Sequence, residues 1–127
     1  MPPVDVIDES FVVAAPGAVA AVLRSPQRWR EWWPDLELSV FADRGEAGVR
    51  WNVAGALAGS MEVWLEPFGD GVIVHYYLRA DRPGSPCPTV RHAAKEVRRR
   101  QRAVKRVFWR LKDELEGDRP PGLPGHG

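Results

Sequence analysis

The chain is poor in cysteine, in long apolar runs and in net charge, and each absence excludes a class of protein. Its one cysteine, Cys87, rules out an internal disulfide and is typical of a reducing compartment. No apolar run approaches the roughly 18 residues that a membrane-spanning helix needs. The 18 Lys and Arg residues nearly balance 17 Asp and Glu residues, and the net charge of +1 is too small to indicate a nucleic-acid partner by itself. We therefore expect a cytoplasmic protein.

Motifs for export, metal binding and common catalytic chemistries are also lacking. The N-terminal MPPVDVIDES is acidic and has neither the basic nor the apolar region of a signal peptide. The three histidines are dispersed and form no metal-ligand spacing with the single cysteine. The GxSxG, P-loop and dinucleotide-binding fingerprints are absent. We therefore expect no metal ion and no cofactor.

What the sequence does contain is the pattern of a single domain. At 127 residues the chain is long enough to bury about two-thirds of its unfolded surface around one core. We expect that domain to span residues 1–117. Residues 118–127, DRPPGLPGHG, are rich in proline and glycine and are predicted to be a disordered tail.

The first 34 residues predict a strand followed by two short helices. Residues 4–13 alternate weakly and are rich in β-branched side chains, which favours a strand. Pro16 suits the first turn of a helix, and Ser25 directly before a proline combines an N-cap with proline at the first helical position. The second helix carries three tryptophans, Trp29, Trp32 and Trp33.

Between residues 36 and 80 the apolar period changes to two, which predicts strands. Glycine-rich breaks at 43–48, 55–59 and 67–71 divide this region into four runs. The runs are therefore interpreted as consecutive antiparallel hairpins. Residues 81–88 hold three prolines and a glycine, and they are predicted to be a loop.

The last regular element is predicted to be one long amphipathic helix over residues 89–116, about 40 Å long. Apolar residues recur along this helix at alternating spacings of four and three residues, which places them in one stripe. Gln101 is the one polar member of this stripe. The stripe comprises Val90, Ala94, Val97, Gln101, Val104, Phe108, Leu111 and Leu115. Val107 and Trp109 widen the apolar arc beyond a coiled-coil seam, which favours burial against a sheet. The predicted fold is α+β, a helix-grip: a curved antiparallel sheet of about five strands wraps the long C-terminal helix, with two short helices after the first strand.

This order, together with four segments, resembles the polyketide cyclase/dehydrase-like branch of the START-like (SRPBCC, helix-grip, Bet v 1-like) superfamily. The segments are VVAAPGAVAAVL, SPQRWREWWPDLEL, GVRWNVAG and MEVWLEPFGDGVIVHYYL. The resemblance implies an apolar cavity between the sheet and the last helix. It also implies a hydrophobic ligand, such as a lipid or an aromatic polyketide, and in a minority of members a cyclase or dehydratase activity.

The chain departs from that family in the number of its strands. The family usually has six or seven, whereas this sequence offers about five, and about one hairpin is missing between Trp51 and Met61. A shortened sheet leaves three alternatives for the cavity: it is small, it is open to one side, or a second subunit completes it.

Side chains on the concave face of the sheet and on the helix are the candidate pocket. Three of them, Trp51, Tyr76 and Gln101, carry polar groups that would orient a ligand in a mostly apolar lining. The apolar members are Trp33, Met61, Val63, Leu65, Val74, Leu78, Val97, Val104 and Phe108. The same residues also suit a filled core in which Gln101 bonds to Tyr76 or to a buried water.

If the cavity catalyses a cyclisation, the reaction needs a general acid or base near the enolising carbon. Tyr76 and Asp8 are the candidates, since both are placed by strand parity where they can face the cavity. No recognisable catalytic motif accompanies them, so binding is favoured over catalysis.

The outer surfaces supply a second hypothesis. Strand parity places an apolar group on the outer face of the sheet, which indicates either a homodimer interface or scattered surface aromatics. The group comprises Trp64, Ile73, His75 and Tyr77.

The outer face of the long helix is basic, with ten Arg and Lys residues against four acidic ones in residues 90–116. The alternative function is therefore a non-enzymatic interaction module that binds a protein, nucleic acid or an anionic membrane. Because no base-reading motif is present and the rest of the chain is acidic enough to cancel this charge, we expect neither nucleic acid nor membrane to be the main partner.

Overall fold

In the computed structural model, which describes residues 4–83 and 90–116, one antiparallel sheet is covered on one face by helices. The first strand and two helices are β1 (Val4–Val12), α1 (Pro16–Leu23) and α2 (Pro26–Trp32). The remaining elements are β2 (Leu36–Asp43), a 3-10 turn (Gly45–Ala47), β3 (Gly48–Gly55), β4 (Ala58–Phe68), β5 (Gly71–Asp81) and α3 (Val90–Glu116).

The five strands lie in the order β1-β5-β4-β3-β2, and every neighbouring pair is antiparallel. Strands β2 to β5 form the predicted hairpins, and β1 pairs with β5 so that Asp8 lies opposite Tyr76. Strands β1 and β2 are therefore the two edges of the sheet. The predicted α+β helix-grip, with five strands and two short helices after the first strand, is confirmed.

The junction between α1 and α2 follows from local sequence chemistry. The Ser25 hydroxyl accepts a hydrogen bond from the Arg28 backbone N–H at 3.4 Å, and Pro26 occupies the first helical position. At the other end, Trp33 leaves the helical conformation (φ −132°, ψ 70°) while its N–H still donates to the Trp29 carbonyl at 2.8 Å. This exit brings Trp33, which is almost fully buried, into the core.

The start of β3 requires a glycine. Gly48 has a φ of +126°, and a Cβ at this position would lie 2.0 Å from the Val63 carbonyl oxygen. Only the absence of a side chain allows β3 to pass this close to β4.

The core lies between the concave face of the sheet and the three helices. Helix α3 runs against β1 and also touches α1 and α2. Its buried residues are Arg100, Ala103, Val104, Val107, Phe108 and Leu111.

The predicted apolar stripe of α3 was wrong at two positions. Val90 is 88% exposed and Gln101 is also exposed, whereas Arg100, which the charge pattern placed on the outer basic face, is buried. A strict alternation of four and three drifts by about 20° per heptad against a 3.6-residue helix. Ala103 and Val107 therefore share the buried arc, and its centre moves away from Gln101 by about one residue.

Three predictions lie wholly or partly outside the described residues. They concern the loop at 81–88, which includes Cys87, the first residue of the long helix, and the tail at 118–127. Within the described ranges, no helix is long and apolar enough to cross a membrane.

Candidate ligand-binding site

Five aromatic side chains pack together on the concave side of the sheet, and we call them the aromatic cluster: Trp29, Trp32, Trp33, Trp51 and Tyr76. Trp33 is central, because its ring stacks on Tyr76 (centroids 6.3 Å apart, planes at 14°) and meets Trp51 at 5.9 Å. Trp32 contacts Trp33 edge to face at 5.6 Å, and Trp29 contacts Trp51 at 5.5 Å. Such edge and offset contacts are the arrangements that aromatic rings prefer.

Three polar atoms of the aromatic cluster are buried without a hydrogen-bond partner among the described residues. They are the indole Nε1 atoms of Trp32 and Trp51 and the hydroxyl of Tyr76. In contrast, the Trp29 Nε1 donates to the Leu23 carbonyl at 2.6 Å. Leaving a buried donor unpaired costs about 1–3 kcal/mol, and such groups are rare in native proteins. The cluster therefore carries hydrogen-bonding capacity that the described part of the fold does not use.

The Tyr76 phenol is a donor and not a base in this environment. Burial raises the pKa of the phenol well above its usual value, and the positive charge of Arg100 opposes that shift only partly. The hydroxyl therefore keeps its proton at neutral pH. It can donate to an acceptor but does not abstract a proton as a phenolate.

Most of the predicted pocket residues are brought together in one core. Trp33, Trp51, Met61, Val63, Leu65, Val74, Tyr76, Leu78, Val104 and Phe108 are each 3% exposed or less, and Val97 is partly buried beside them. These side chains are therefore shielded from solvent. Gln101 is not part of this core, because it lies on the opposite side of α3. That the buried residues line a ligand cavity stays a prediction.

The buried polar residue of α3 is Arg100, which sequence reasoning missed. Its side chain is 3% exposed and binds Asp35 through both terminal nitrogens, at 3.0 and 2.6 Å, and Glu96 through Nε at 2.9 Å. Asp35 also accepts a bond from Arg99 at 2.8 Å. The Arg100 hydrogen bonds lower the pKa of Asp35 below its usual value, although partial burial opposes them. Glu96 four residues before Arg100 was the available sequence signal.

The second predicted catalytic candidate, Asp8, is engaged elsewhere. It lies opposite Tyr76 in the sheet register, but its carboxylate binds the Lys105 ammonium at 2.9 Å. No hydrogen bond joins Asp8 to Tyr76, since the Tyr76 hydroxyl has no partner in the described ranges.

A surface groove of about 510 Å³ lies between α2 and the edge strand β2, and we call it the α2–β2 groove. Trp29 is shared by the groove and the aromatic cluster, so the groove leads to the contact between Trp29 and Trp51. Its lining comprises Pro26, Trp29, Arg30, Pro34, Leu36, Glu37 and Leu38. The sheet is thus open to solvent on its β2 side.

The predicted outer-face residues lie together on the convex side of the sheet. Trp64 stacks on His75 (centroids 4.6 Å apart), whose ring nitrogens face Glu66 at 2.9 Å and Glu9 at 3.2 Å. Three further apolar residues share this face and were not predicted: Ile7 and Phe11 on β1, and Phe68 on β4. We define the convex patch as Ile7, Phe11, Trp64, Phe68, Ile73, His75 and Tyr77.

Comparison with known proteins identifies the fold and leaves the family open. No protein-family profile and no curated protein sequence matches the chain. Among solved structures, the Aha1 dimer from Colwellia psychrerythraea is 15% identical, with a TM-score of 0.63 over 92% of this chain and 99% of that one.

Two further matches come from biosynthetic settings. StfQ, a di-domain ARO/CYC protein from the steffimycin pathway, is 19% identical over 91% of this chain, with a TM-score of 0.64. DynU16, from the dynemicin locus, is 16% identical over 96% of this chain, with a TM-score of 0.61. The matches span about half of these two longer chains, 52% and 51%. The chain therefore has the START-like helix-grip fold that its sequence motifs predicted.

Proposed function

We propose that this protein binds a hydrophobic or aromatic small molecule, polyketide- or lipid-like, between the concave face of the sheet and α3. The observation that carries the proposal is a pair of buried donors, Trp51 Nε1 and the Tyr76 hydroxyl, that have no hydrogen-bond partner in the described residues. The rings of both contact Trp33. An apolar wall with a few placed polar groups is the usual composition of a small-molecule site. The biosynthetic settings of two structures with the same fold agree with this ligand class.

The donors also narrow the chemistry of the ligand. Trp51 offers one N–H and the protonated Tyr76 offers one O–H, so the matching ligand group is an acceptor such as a ketone or quinone oxygen. Arg100 is not available to a ligand carboxylate, because Asp35 and Glu96 already occupy its guanidinium.

Access to the site is proposed through the α2–β2 groove. Trp51 is fully buried, so a ligand from solvent must displace side chains to reach it. Trp29 separates the groove from Trp51 and is only partly buried, which makes it the side chain that must move. The edge strand β2 is hydrogen-bonded to one neighbouring strand, β3, so we expect it to move together with Trp29.

Replacing Tyr76 with phenylalanine is expected to weaken binding of a planar ketone by about tenfold, because one hydrogen bond to the ligand is lost. The stability of the free protein should stay equal or rise, since the substitution removes a buried hydroxyl that has no partner in the described ranges. Titration of the purified protein with the anthraquinone emodin, followed by tryptophan fluorescence, measures the first effect. Urea unfolding of the same samples measures the second.

Tyr77→Phe is the matched control, because it removes the same hydroxyl from the next residue, on the convex side of the sheet. Equal emodin affinity in the Tyr76 and Tyr77 variants would remove Tyr76 from the site. The binding proposal would be contradicted if the wild-type protein bound none of emodin, 2-naphthol and palmitate and if its native mass spectra showed no co-purified molecule. The interaction-module alternative would then take its place.

A cyclase or dehydratase version of the proposal has less support. Tyr76 can act as a proton donor to a carbonyl oxygen, but Asp8 is paired with Lys105. A general base for the enolising carbon is therefore unassigned among the described residues, and turnover stays a hypothesis. The cytoplasmic location also stays a prediction from the sequence.

We also propose that the convex patch mediates homodimerisation. Ile7 is 70% exposed and Phe68 61%. Cross-strand pairs join Ile7 to Tyr77 and Phe11 to Ile73, so exposed apolar side chains share this face with Glu9, Glu62 and Glu66. Ile7→Glu is expected to raise the dimer dissociation constant roughly tenfold or more, because it places an unpaired charge in the interface. Sedimentation velocity over a concentration series measures this change. Val90→Glu, an equal charge change at an exposed position of α3, should leave the association unchanged, and a monomeric wild type would contradict the proposal.

A further inference from the structure

The exposed side of α3 carries a cationic stripe that the proposed ligand site does not use. Its residues recur at i, i+3, i+4, i+7, i+8 and i+11, directly opposite the buried arc of the helix, over about 17 Å. They border a shallow surface groove of about 560 Å³ and form what we call the cationic face: Arg98, Gln101, Arg102, Lys105, Arg106 and Trp109.

The charges of this face are largely uncompensated. No acidic residue occurs between Glu96 and Asp113 in the sequence. Arg98, Arg102 and Arg106 have no ion-pair partner within residues 4–83 and 90–116, and Lys105 alone is paired, with Asp8 at its margin. By contrast, Arg99 and Arg100 on the neighbouring flank are both bound by Asp35 and Glu96. The face therefore presents concentrated positive charge in a chain whose net charge is only +1.

Trp109 adds an exposed apolar group to this charge. Its indole is 66% exposed and lies one to two turns along the helix from Lys105 and Arg102, outside the core. An amphipathic ring beside arginines is typical of protein surfaces that rest at the headgroup level of a membrane.

We propose that the cationic face docks this protein flat onto an anionic lipid surface. Helix α3 buries its other half against β1, α1 and α2, so only a shallow strip of its circumference projects from the domain. Duplex DNA fits this shape poorly, because a reading helix must enter a major groove about 8.5 Å deep. Single strands are held by several stacking aromatics, whereas Trp109 is the one aromatic lining this face in the described residues. A planar array of anionic headgroups matches both the shape and the charge.

The test is co-sedimentation of the full chain with vesicles of phosphatidylcholine alone and of phosphatidylcholine mixed with phosphatidylserine. Binding is expected only to the anionic vesicles and should fall as salt is raised above about 0.1 M. The triple variant Arg98→Gln, Arg102→Gln, Arg106→Gln should bind roughly tenfold or more weakly, since each basic residue near an anionic surface contributes measurably. Glutamine keeps the helix propensity of arginine, so α3 should still form.

The matched control removes three arginines from the convex side: Arg44→Gln, Arg50→Gln and Arg79→Gln. It carries the same change in net charge and should bind anionic vesicles as the wild type does. Equal weakening in both triple variants would reduce the effect to net charge and overturn the docking surface. Absence of vesicle binding, or tighter binding to single- or double-stranded DNA than to vesicles, would also overturn it. Emodin affinity of the triple variant should be unchanged, so this proposal and the ligand site can fail separately.

Discussion

Replacing Asp35 with alanine should lower the free energy of unfolding by about 3 kcal/mol, because it leaves a buried guanidinium without its main partner. Arg100 is 3% exposed, and Asp35 takes two of its three hydrogen bonds. Of the acidic residues in the described ranges, only Glu96 then remains bonded to the guanidinium. Urea unfolding at neutral pH, with the midpoint and slope compared with the wild type, measures the loss.

Two further variants test whether the buried charge is the cause of this loss. Glu62→Ala removes an equal charge whose pair with Arg44 is partly exposed, and it should cost no more than about 1 kcal/mol. The double variant Asp35→Ala, Arg100→Met removes both partners and should recover part of the loss, because an apolar side chain then fills the site. A double variant less stable than Asp35→Ala would contradict this account of the cluster.

The same contact predicts a pH dependence. The Arg100 hydrogen bonds hold the pKa of Asp35 in the folded state below its value in the unfolded chain. The unfolded chain therefore takes up the proton more readily, and stability from this contact is complete at neutral pH and is lost as the pH falls below about 5. The Asp35→Ala variant should accordingly lose less stability than the wild type between about pH 5 and pH 3.

The sequence predicted the elements well because their signals are local. Ser25 and Pro26 mark the start of α2, and the period-two runs between glycine-rich breaks mark the hairpins. The fold class followed from the order of the elements and from one amphipathic helix, α3, whose apolar face must be buried against a sheet. Each of these inferences uses residues that are close together in the chain.

The candidate site was harder to predict because its polar contacts join distant segments. Asp35 lies 65 residues before Arg100, and without this partner a buried arginine at the centre of α3 is not an expected choice. The alternating spacing of four and three therefore predicts Gln101 as the buried polar group and places Arg100 in solvent. The hydrogen-bonding state of Trp51 and Tyr76 likewise depends on every segment that packs over the concave face, which no local pattern specifies.

Replacing Trp33 with alanine should cost about 3–5 kcal/mol of stability, a large share of what a domain of this size possesses. Trp33 is almost fully buried and is the one ring that contacts Trp32, Trp51 and Tyr76 together. Its loss leaves a cavity in the middle of the aromatic cluster. We expect the surrounding side chains of the sheet and of the helices to fill this cavity only in part. Trp33→Phe keeps an aromatic ring at the position and should cost less than half as much.

The cavity left by Trp33→Ala also offers a direct test of the aromatic cluster as a binding site. Apolar cavities of this kind bind small aromatic molecules, so indole should stabilise the variant in proportion to ln(1 + [L]/Kd) and leave Trp33→Phe unaffected. If Trp51 Nε1 and the Tyr76 hydroxyl face this space, as the binding proposal requires, 1-indanone, which carries a ketone acceptor, should stabilise the variant more than indane, which has the same ring system without the oxygen. Thermal unfolding with each compound measures both comparisons. Equal stabilisation by indanone and indane would mean that the two donors do not face the space between the sheet and α3, and the orientation of ligands by Trp51 and Tyr76 would have to be abandoned.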